Sequence, residues 1–207
     1  MILTAMIAAV ALTSPVEDYF PLAEGTKWTY QDENGLQLIQ QAGKQIDIGK
    51  GKMATPVSQS ASGQSLGSNL YAIDGDTAFL YGMIDPGKAQ KDMNLLREPE
   101  PVLKVAEGKA EWQYIGELAT GAGPVLVQIH SDSNKGPKRK IFDHEVETIV
   151  VHAFTRYGND PKVGVEVRQD MIYAKGIGMV ETTEATKAQG KTVKKMLKLV
   201  KFEPPQG

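Results

Sequence analysis

The feature that most constrains this chain is an aromatic pattern, Trp-x-Tyr, which occurs twice behind an Ala-Glu-Gly lead. The first copy is 23–30 (AEGTKWTY), and the second is 106–114 (AEGKAEWQY), with one more residue between lead and aromatics. Residues two apart point to the same face of a β-strand, so each Trp and Tyr would share one side of a strand that follows a glycine turn. The chain has no other tryptophan. The pattern therefore predicts two similar strands, one in each half.

Turn residues and short apolar runs divide the rest of the chain. Asn34-Gly35 is typical of a two-residue hairpin turn, because both positions must accept positive φ. A Tyr-Ala pair recurs at Tyr71 and Tyr173, each time at a strand end before a tight turn. Ser58–Ser68 is rich in Ser and Gly and predicts a loop, and 193–202 predicts a closing strand flanked by lysines. This spacing predicts an all-β, mainly antiparallel fold: a curved sheet, a sandwich or an open barrel.

The predicted domain organisation is a signal peptide at 1–13 and a single β domain at 14–207. The domain would consist of two similar halves, 19–85 and 102–202, joined by a Pro-containing connector at 86–101. Within the connector, the apolar pair Leu95-Leu96 is expected to pack against the core. A duplication and a chance recurrence of aromatic strands both account for the similarity of the halves.

The amino-terminal prediction depends on 2–12, an apolar run that is too short to span a bilayer as a helix. Ala9-Val10-Ala11 has the small-x-small pattern that signal peptidase accepts, and 13–15 is a second option. No Lys or Arg precedes the run, and the alternative is an N-terminal core strand or helix. We expect a cleaved signal and a secreted or periplasmic protein. No later apolar run reaches spanning length, so no transmembrane span is expected.

Composition excludes several classes of function. Lys and Arg number 23 against 25 Asp and Glu, a formal net charge of −2, and no global field favours nucleic acid as a partner. The chain has no cysteine, which excludes disulfides, thiolate catalysis and Cys-ligated zinc. Lysines at 187–201 could meet an anionic surface, but they are more typical of a solvated face.

The chain resembles a group of uncharacterised secreted or surface-anchored bacterial β-proteins. The resemblance depends on a Tyr-Phe-Pro-Leu opening at 19–22, on the two Trp-x-Tyr strands with Gly25 and Gly108, and on the hairpin 173–180 (YAKGIGMV). It covers most of the chain after the predicted signal. In this group a Pro-Ala-Gly-Thr-Phe-like turn precedes the penultimate strands, and 147–154 has no such turn. The resemblance implies an extracytoplasmic antiparallel fold, and it implies no catalytic residues.

Two patterns could carry chemistry, and each has a plainer interpretation. Ser65 lies in Gly-x-Ser-x-Gly, the nucleophile elbow of α/β-hydrolases, but that elbow requires a strand before the serine and a helix after it. His130, His144 and His152 are the only histidines; His144 and His152 are too far apart along one strand to share a metal, whereas a cross-strand site with His130 stays open. We predict no catalytic residue, no metal site and no cofactor.

The leading functional hypothesis is a non-enzymatic extracytoplasmic binding or interaction protein of the bacterial cell envelope. Its partner would be a protein, the cell wall or an apolar small molecule. The alternative is a carrier that holds a lipid or other apolar ligand in a curved β-sheet, with Trp28, Tyr30, Trp112 and Tyr114 as its wall. A remote alternative is a serine hydrolase that uses Ser65. An interaction protein predicts an exposed apolar patch, and a carrier predicts a large apolar concavity.

Overall fold

A computed structural model describes residues 15–120, 123–158 and 164–205, with the backbone alone at 118–120. The described residues form fifteen β-strands and a short 3-10 helix, Gln90–Asp92. The strands are β1 Lys27–Asp32, β2 Gln37–Ala42, β3 Ile46–Asp47, β4 Met53–Ala61, β5 Gln64–Asp74, β6 Thr77–Ile84, β7 Asn94–Lys104, β8 Ala110–Thr120, β9 Gly123–Lys135, β10 Arg139–Ile141, β11 His144–Val146, β12 Thr148–Tyr157, β13 Val165–Ala174, β14 Gly178–Ala188 and β15 Lys191–Glu203.

Twelve of these strands form one continuous antiparallel sheet, in the order β7-β6-β5-β4-β2-β1-β15-β14-β13-β12-β9-β8. Two six-stranded meanders, one on each side, meet where the first strand pairs with the last, and Lys27 lies opposite Glu203. β3 adds to β4, and β10 and β11 form a separate hairpin. The sheet curls until its outermost strands, β7 and β8, approach one another. The predicted all-β antiparallel fold is therefore confirmed, as a nearly closed, barrel-like sheet.

The inner face of the sheet is packed. Val16 and Tyr19, which precede β1, lie in a cluster with residues of both meanders. The other buried members of that cluster are Ala78, Leu103, Val105, Ile149, Val151 and Tyr173. A second cluster surrounds Trp28 and Tyr30, with Ala42 and Val57. The segment before β1 thus acts as a plug that fills the interior and ties the meanders together.

The serine-rich stretch Ser58–Ser68 is not a loop, and that prediction was wrong. It is the hairpin of β4 and β5, with Ser58 opposite Ser68. Ser62 and Gly63 form its turn, with φ of 50° and 75°, the conformation of a two-residue hairpin turn of type I′. Small polar side chains are compatible with the exposed end of a hairpin as well as with a loop, so composition did not distinguish the two.

The predicted closing strand at 193–202 is confirmed, because β15 pairs with both β14 and β1. The predicted connector at 86–101 contains the 3-10 helix and the first part of β7. The predicted signal peptide at 1–13 lies outside the described residues, and the division into two similar halves, 19–85 and 102–202, stays a prediction.

Candidate functional site

The first Trp-x-Tyr strand joins the motifs of the family resemblance into one buried assembly. Trp28 donates its indole N–H to the carbonyl of Ile177 at 2.5 Å, and Tyr30 donates its hydroxyl to the carbonyl of Met179 at 3.1 Å. Gly178, between these acceptors, has φ of 100°, and a Cβ there would lie 3.2 Å from the Trp28 indole nitrogen. A glycine is therefore required where the hairpin passes beneath the indole. Phe20 adds a ring contact to Tyr173, 6.2 Å between centroids.

These aromatics form a core rather than the wall of a carrier's cavity. Trp28 is 5% exposed and Tyr30 2% exposed, and the cavity that they border has a volume of about 100 Å³. A pocket for a drug-sized ligand is typically several hundred cubic ångströms. Burial raises the pKa of the Tyr30 and Tyr173 hydroxyls, so both stay protonated and serve as hydrogen-bond donors.

The second Trp-x-Tyr strand, β8, also donates side-chain hydrogen bonds to backbone carbonyls, at the place where the sheet does not close. Trp112 donates its indole N–H to the carbonyl of Pro101 at 2.9 Å, and the Tyr114 hydroxyl reaches the carbonyl of Glu98 at 3.3 Å. Ser133 on β9 donates its hydroxyl to the carbonyl of Lys104 at 2.5 Å. Between β7 and β8, described residues form no backbone ladder. We call this boundary the seam; in the described part of the chain, side-chain hydrogen bonds to backbone carbonyls bridge it.

The sequence of β7 explains why the seam lacks a ladder. Pro99 and Pro101 have no backbone N–H to donate, and prolines in sheets are confined to edges of this kind. The pairing of β7 with β6 is also interrupted, since Leu80 lies opposite Glu100 and Gly82 opposite Leu95. The stretch 96–99 thus has no pairing partner on β6, and the Tyr114 hydroxyl joins it to β8 at the Glu98 carbonyl.

Beside this stretch, the seam opens into a cleft of about 920 Å³, which we call the seam cleft. Ile115 is 65% exposed and Leu95 48% exposed at its walls. The apolar lining is completed by Met83, Met93, Leu96, Tyr114, Pro124 and Leu126, and the polar lining by Asp85, Asn94, Arg97, Glu98, Gly116 and Glu117. Exposed apolar side chains gathered in a concavity are typical of a binding surface.

Two glycines shape the walls of the seam cleft. A Cβ at Gly116 would collide with the Tyr114 ring, which lies across that glycine. A Cβ at Gly82 would collide with the backbone of Asn94 and Leu95. The first glycine lets Tyr114 reach β7, and the second lets the start of β7 approach β6. Each wall of the cleft therefore requires a glycine, because a side chain at that position would collide with its neighbours.

An unpaired acid lies on the inner side of the seam. Burial raises the pKa of the Glu100 carboxyl, and no described residue forms an ion pair with it. The charge of Glu100 in turn raises, after burial itself, the pKa of the Tyr71, Tyr114 and Tyr157 hydroxyls. The interior behind the seam is thus tyrosine-rich and holds a carboxyl group whose protonated form is favoured by burial.

The sequence reasoning missed the seam cleft. Leu95 and Leu96 were expected to pack against the core, but Leu95 is half exposed. The signal was present in two places: an apolar pair inside a proline-rich edge strand, and Ile115 on the outward face of β8, two residues from Gln113 and Glu117. An isolated exposed residue needs no explanation, and only the fold brings these residues together.

The histidines lie on the outer face of the second meander or beyond it. His130 and His152 occupy adjacent strands, opposite Phe154 and Asp132 respectively, within an open groove of about 760 Å³. His152 Nδ1 is 2.6 Å from the Asp170 carboxylate. His144 lies instead on the separate β10–β11 hairpin. Among the described residues, no group of three or more His, Asp or Glu side chains could hold a metal ion.

Ser65 does not have the surroundings of a nucleophile elbow. It is an exposed residue of β5, and its hydroxyl oxygen accepts a hydrogen bond from the Gly67 N–H at 3.2 Å. A strand continues after it to Asp74, where the elbow requires a helix. The lysines at 187, 191, 194, 195, 198 and 201 are exposed along β14 and β15. No helix in the described part of the chain is long and apolar enough to cross a membrane.

Comparisons with known proteins show similarity in fold alone. No protein-family model and no curated protein sequence matches the chain. A solved structure of a provisionally assigned lipoprotein from Parabacteroides distasonis ATCC 8503 is similar, with a TM-score of 0.52 and 13% identity over 89% of this chain and 98% of that one. A provisionally assigned exported protein with a YmcC-like fold, from Bacteroides fragilis NCTC 9343, reaches a TM-score of 0.45 at 10% identity, over 90% of this chain and 99% of that one.

Proposed function

We propose that this protein is a non-enzymatic, extracytoplasmic binding protein of the bacterial cell envelope that binds its partner in the seam cleft. The observation that carries the proposal is the cleft itself, where exposed apolar side chains meet at the one boundary of the sheet without a described backbone ladder. A solved structure of similar fold is that of a provisionally assigned lipoprotein, which supports an envelope location. The apolar run at 2–12 supports export.

The site is tested with Nile red, a neutral apolar dye. Replacing Leu95 and Ile115 together by Ser removes apolar surface from both walls, and we expect dye binding to weaken by roughly tenfold or more. The matched control replaces Leu66 and Val193 by Ser, two residues of similar exposure that do not line the cleft, and should bind as the parent does. If both double variants bind the dye as the parent does, the cleft is not the binding surface.

The location is tested by expressing the full chain in a bacterial host and sequencing the amino terminus of the purified product. We expect cleavage after Ala11 or Thr13 and recovery from the extracytoplasmic fraction. A cytoplasmic product that still begins at Met1 would contradict this half of the proposal. The dye experiment does not depend on that result.

The carrier hypothesis is the second candidate, and the volume of the seam cleft is the observation that favours it. An apolar ligand would then lie at the seam, because the interior around Trp28 is filled. Native mass spectrometry of protein purified without detergent separates the two. A discrete added mass that disappears on solvent extraction favours the carrier. The mass of the polypeptide alone favours the interaction protein.

A further inference from the structure

We infer that the partner enters the seam cleft as an extended peptide strand, which adds to the free edge of β8 and presents apolar side chains flanked by Lys or Arg. This inference rests on the proposed function, whose site it shares. Its first basis is the backbone. β8 pairs with β9 from Ala110 to Thr120, and no other described strand pairs with it. Alternate residues of an antiparallel strand direct N–H and C=O away from the partner, so β8 presents a row of unpaired groups to the cleft.

β7 does not supply the missing ladder, and so the edge stays open to another chain. Among the described residues, the side-chain hydrogen bonds from β8 across the seam come from Trp112 and Tyr114. Residues 115–117 of β8 line the same cleft as 94–98 of β7, and 96–99, which include Pro99, have no pairing partner on β6. An exposed sheet edge of this kind binds extended peptides by strand addition, with the backbone supplying affinity and alternate side chains supplying specificity.

The side chains at the cleft define what such a strand would carry. On the outward face of β8, Ile115 lies between Gln113 and Glu117, and directly opposed side chains interact across a strand pair. An apolar residue therefore suits the place opposite Ile115, and a basic residue suits the place opposite Glu117. Side chains on the inward face of the added strand would contact Tyr114 and the apolar lining of the cleft. Apolar residues are therefore favoured on that face also.

The charge around the cleft agrees with this assignment. Asp85, Glu98 and Glu117 line the cleft, against one cation, Arg97. None of the four forms an ion pair with a described residue; Asp85 instead accepts a hydrogen bond from Asn94 at 3.0 Å. The rim is therefore acidic, and a peptide with basic residues at its flanks complements it.

The probe is a labelled synthetic peptide, acetyl-Thr-Lys-Val-Ile-Val-Lys-Thr-amide. Its pattern is symmetric about Ile, so that either strand direction places Ile opposite Ile115 and Lys opposite Glu117. Two N-methylated versions block either the two Val amides or the Lys and Ile amides, without changing the side chains. Because only one set of amides can face β8, strand addition predicts that one version binds at least about tenfold more weakly and the other binds as the parent peptide does.

Fluorescence anisotropy measures binding, and amide hydrogen exchange of 113–117 reports on the edge. We expect the peptide to slow exchange there, Glu117→Lys to weaken binding about tenfold, and the control Glu107→Lys, in the exposed turn before β8, to have no effect. Equal binding by both methylated versions would overturn strand addition and leave the seam cleft as a binding site. Failure of the parent peptide to bind also overturns the inference, whereas the proposed function fails only if Nile red binding is insensitive to the cleft residues.

Discussion

Single side chains in this protein act across the sheet as donors to backbone carbonyls. Trp28 and Tyr30 do so inside the core, and Trp112 and Tyr114 do so at the seam. The sequence pattern was enough to predict that each pair shares one face of a strand. It could not show that one pair is buried and the other only partly buried, because that depends on which strands flank β1 and β8.

Glu100 gives the clearest prediction at this scale. Its folded-state pKa is raised by burial, so the folded protein holds the proton more tightly than the unfolded chain does. That stabilisation is fully present below the unfolded pKa and is lost as the pH rises through the folded pKa. We expect Glu100→Gln to raise the free energy of unfolding at pH 7 and to change it little at pH 3.

Urea unfolding of the parent and the variant at both pH values measures this difference. Other carboxyl groups titrate equally in the two proteins and cancel in the comparison. The control is Glu107→Gln, which replaces an exposed residue in the turn before β8. We expect it to change the free energy of unfolding little at either pH. An equal effect of Glu100→Gln at pH 3 and pH 7 would show that the carboxyl acts through packing rather than through its charge.

Among the elements, β7 and β8 separate what the sequence could predict from what it could not. β8 was expected from its Trp-x-Tyr pattern, whereas β7 was masked by Pro99 and Pro101, which argue against a strand when read locally. The same prolines make β7 an edge once the fold is formed. The serine-rich β4–β5 hairpin was missed for a related reason, since composition describes exposure rather than backbone conformation. The seam cleft lies between β7 and β8, so it could not be predicted without knowing that both are edge strands and that they lie side by side.

The approach of β8 to β7 depends on Gly116, over which the Tyr114 ring lies. We expect Gly116→Ala to push the ring aside, break its hydrogen bond to Glu98 and destabilise the fold by about 1–3 kcal/mol. Gly108→Ala is the control, because a Cβ there meets no atom within 4 Å. Denaturant unfolding measures the cost, and faster amide exchange along β8 would locate it. Equal free energies of unfolding for the two variants would mean that the Tyr114 ring can move without destabilising the fold.

At the scale of the whole molecule, β15 holds the two meanders together. It pairs with β14 on one side and with β1 on the other, and Leu197 and Leu199 pack against the Trp28 cluster. We expect a chain that ends at Gly190 to lose cooperative unfolding, because β1 and β14 would become open edges and the core would lose one wall. A chain that ends at Glu203 is the control. Circular dichroism during thermal unfolding distinguishes them, and a cooperative transition in the shorter chain would contradict the expectation.

The pairing of β1 with β15 also sets an order in time. Synthesis delivers a chain from its amino terminus, so β1 emerges early and β15 emerges only after the strands between them. Contacts between such distant segments carry a large loop-closure entropy and slow the folding of β-rich proteins. The edge of β1 that β15 covers is consequently bare throughout delivery, when pairing with another chain competes with completion of the sheet. We therefore expect the delay between the emergence of β1 and that of β15 to lower the fraction of chains that reach the native state.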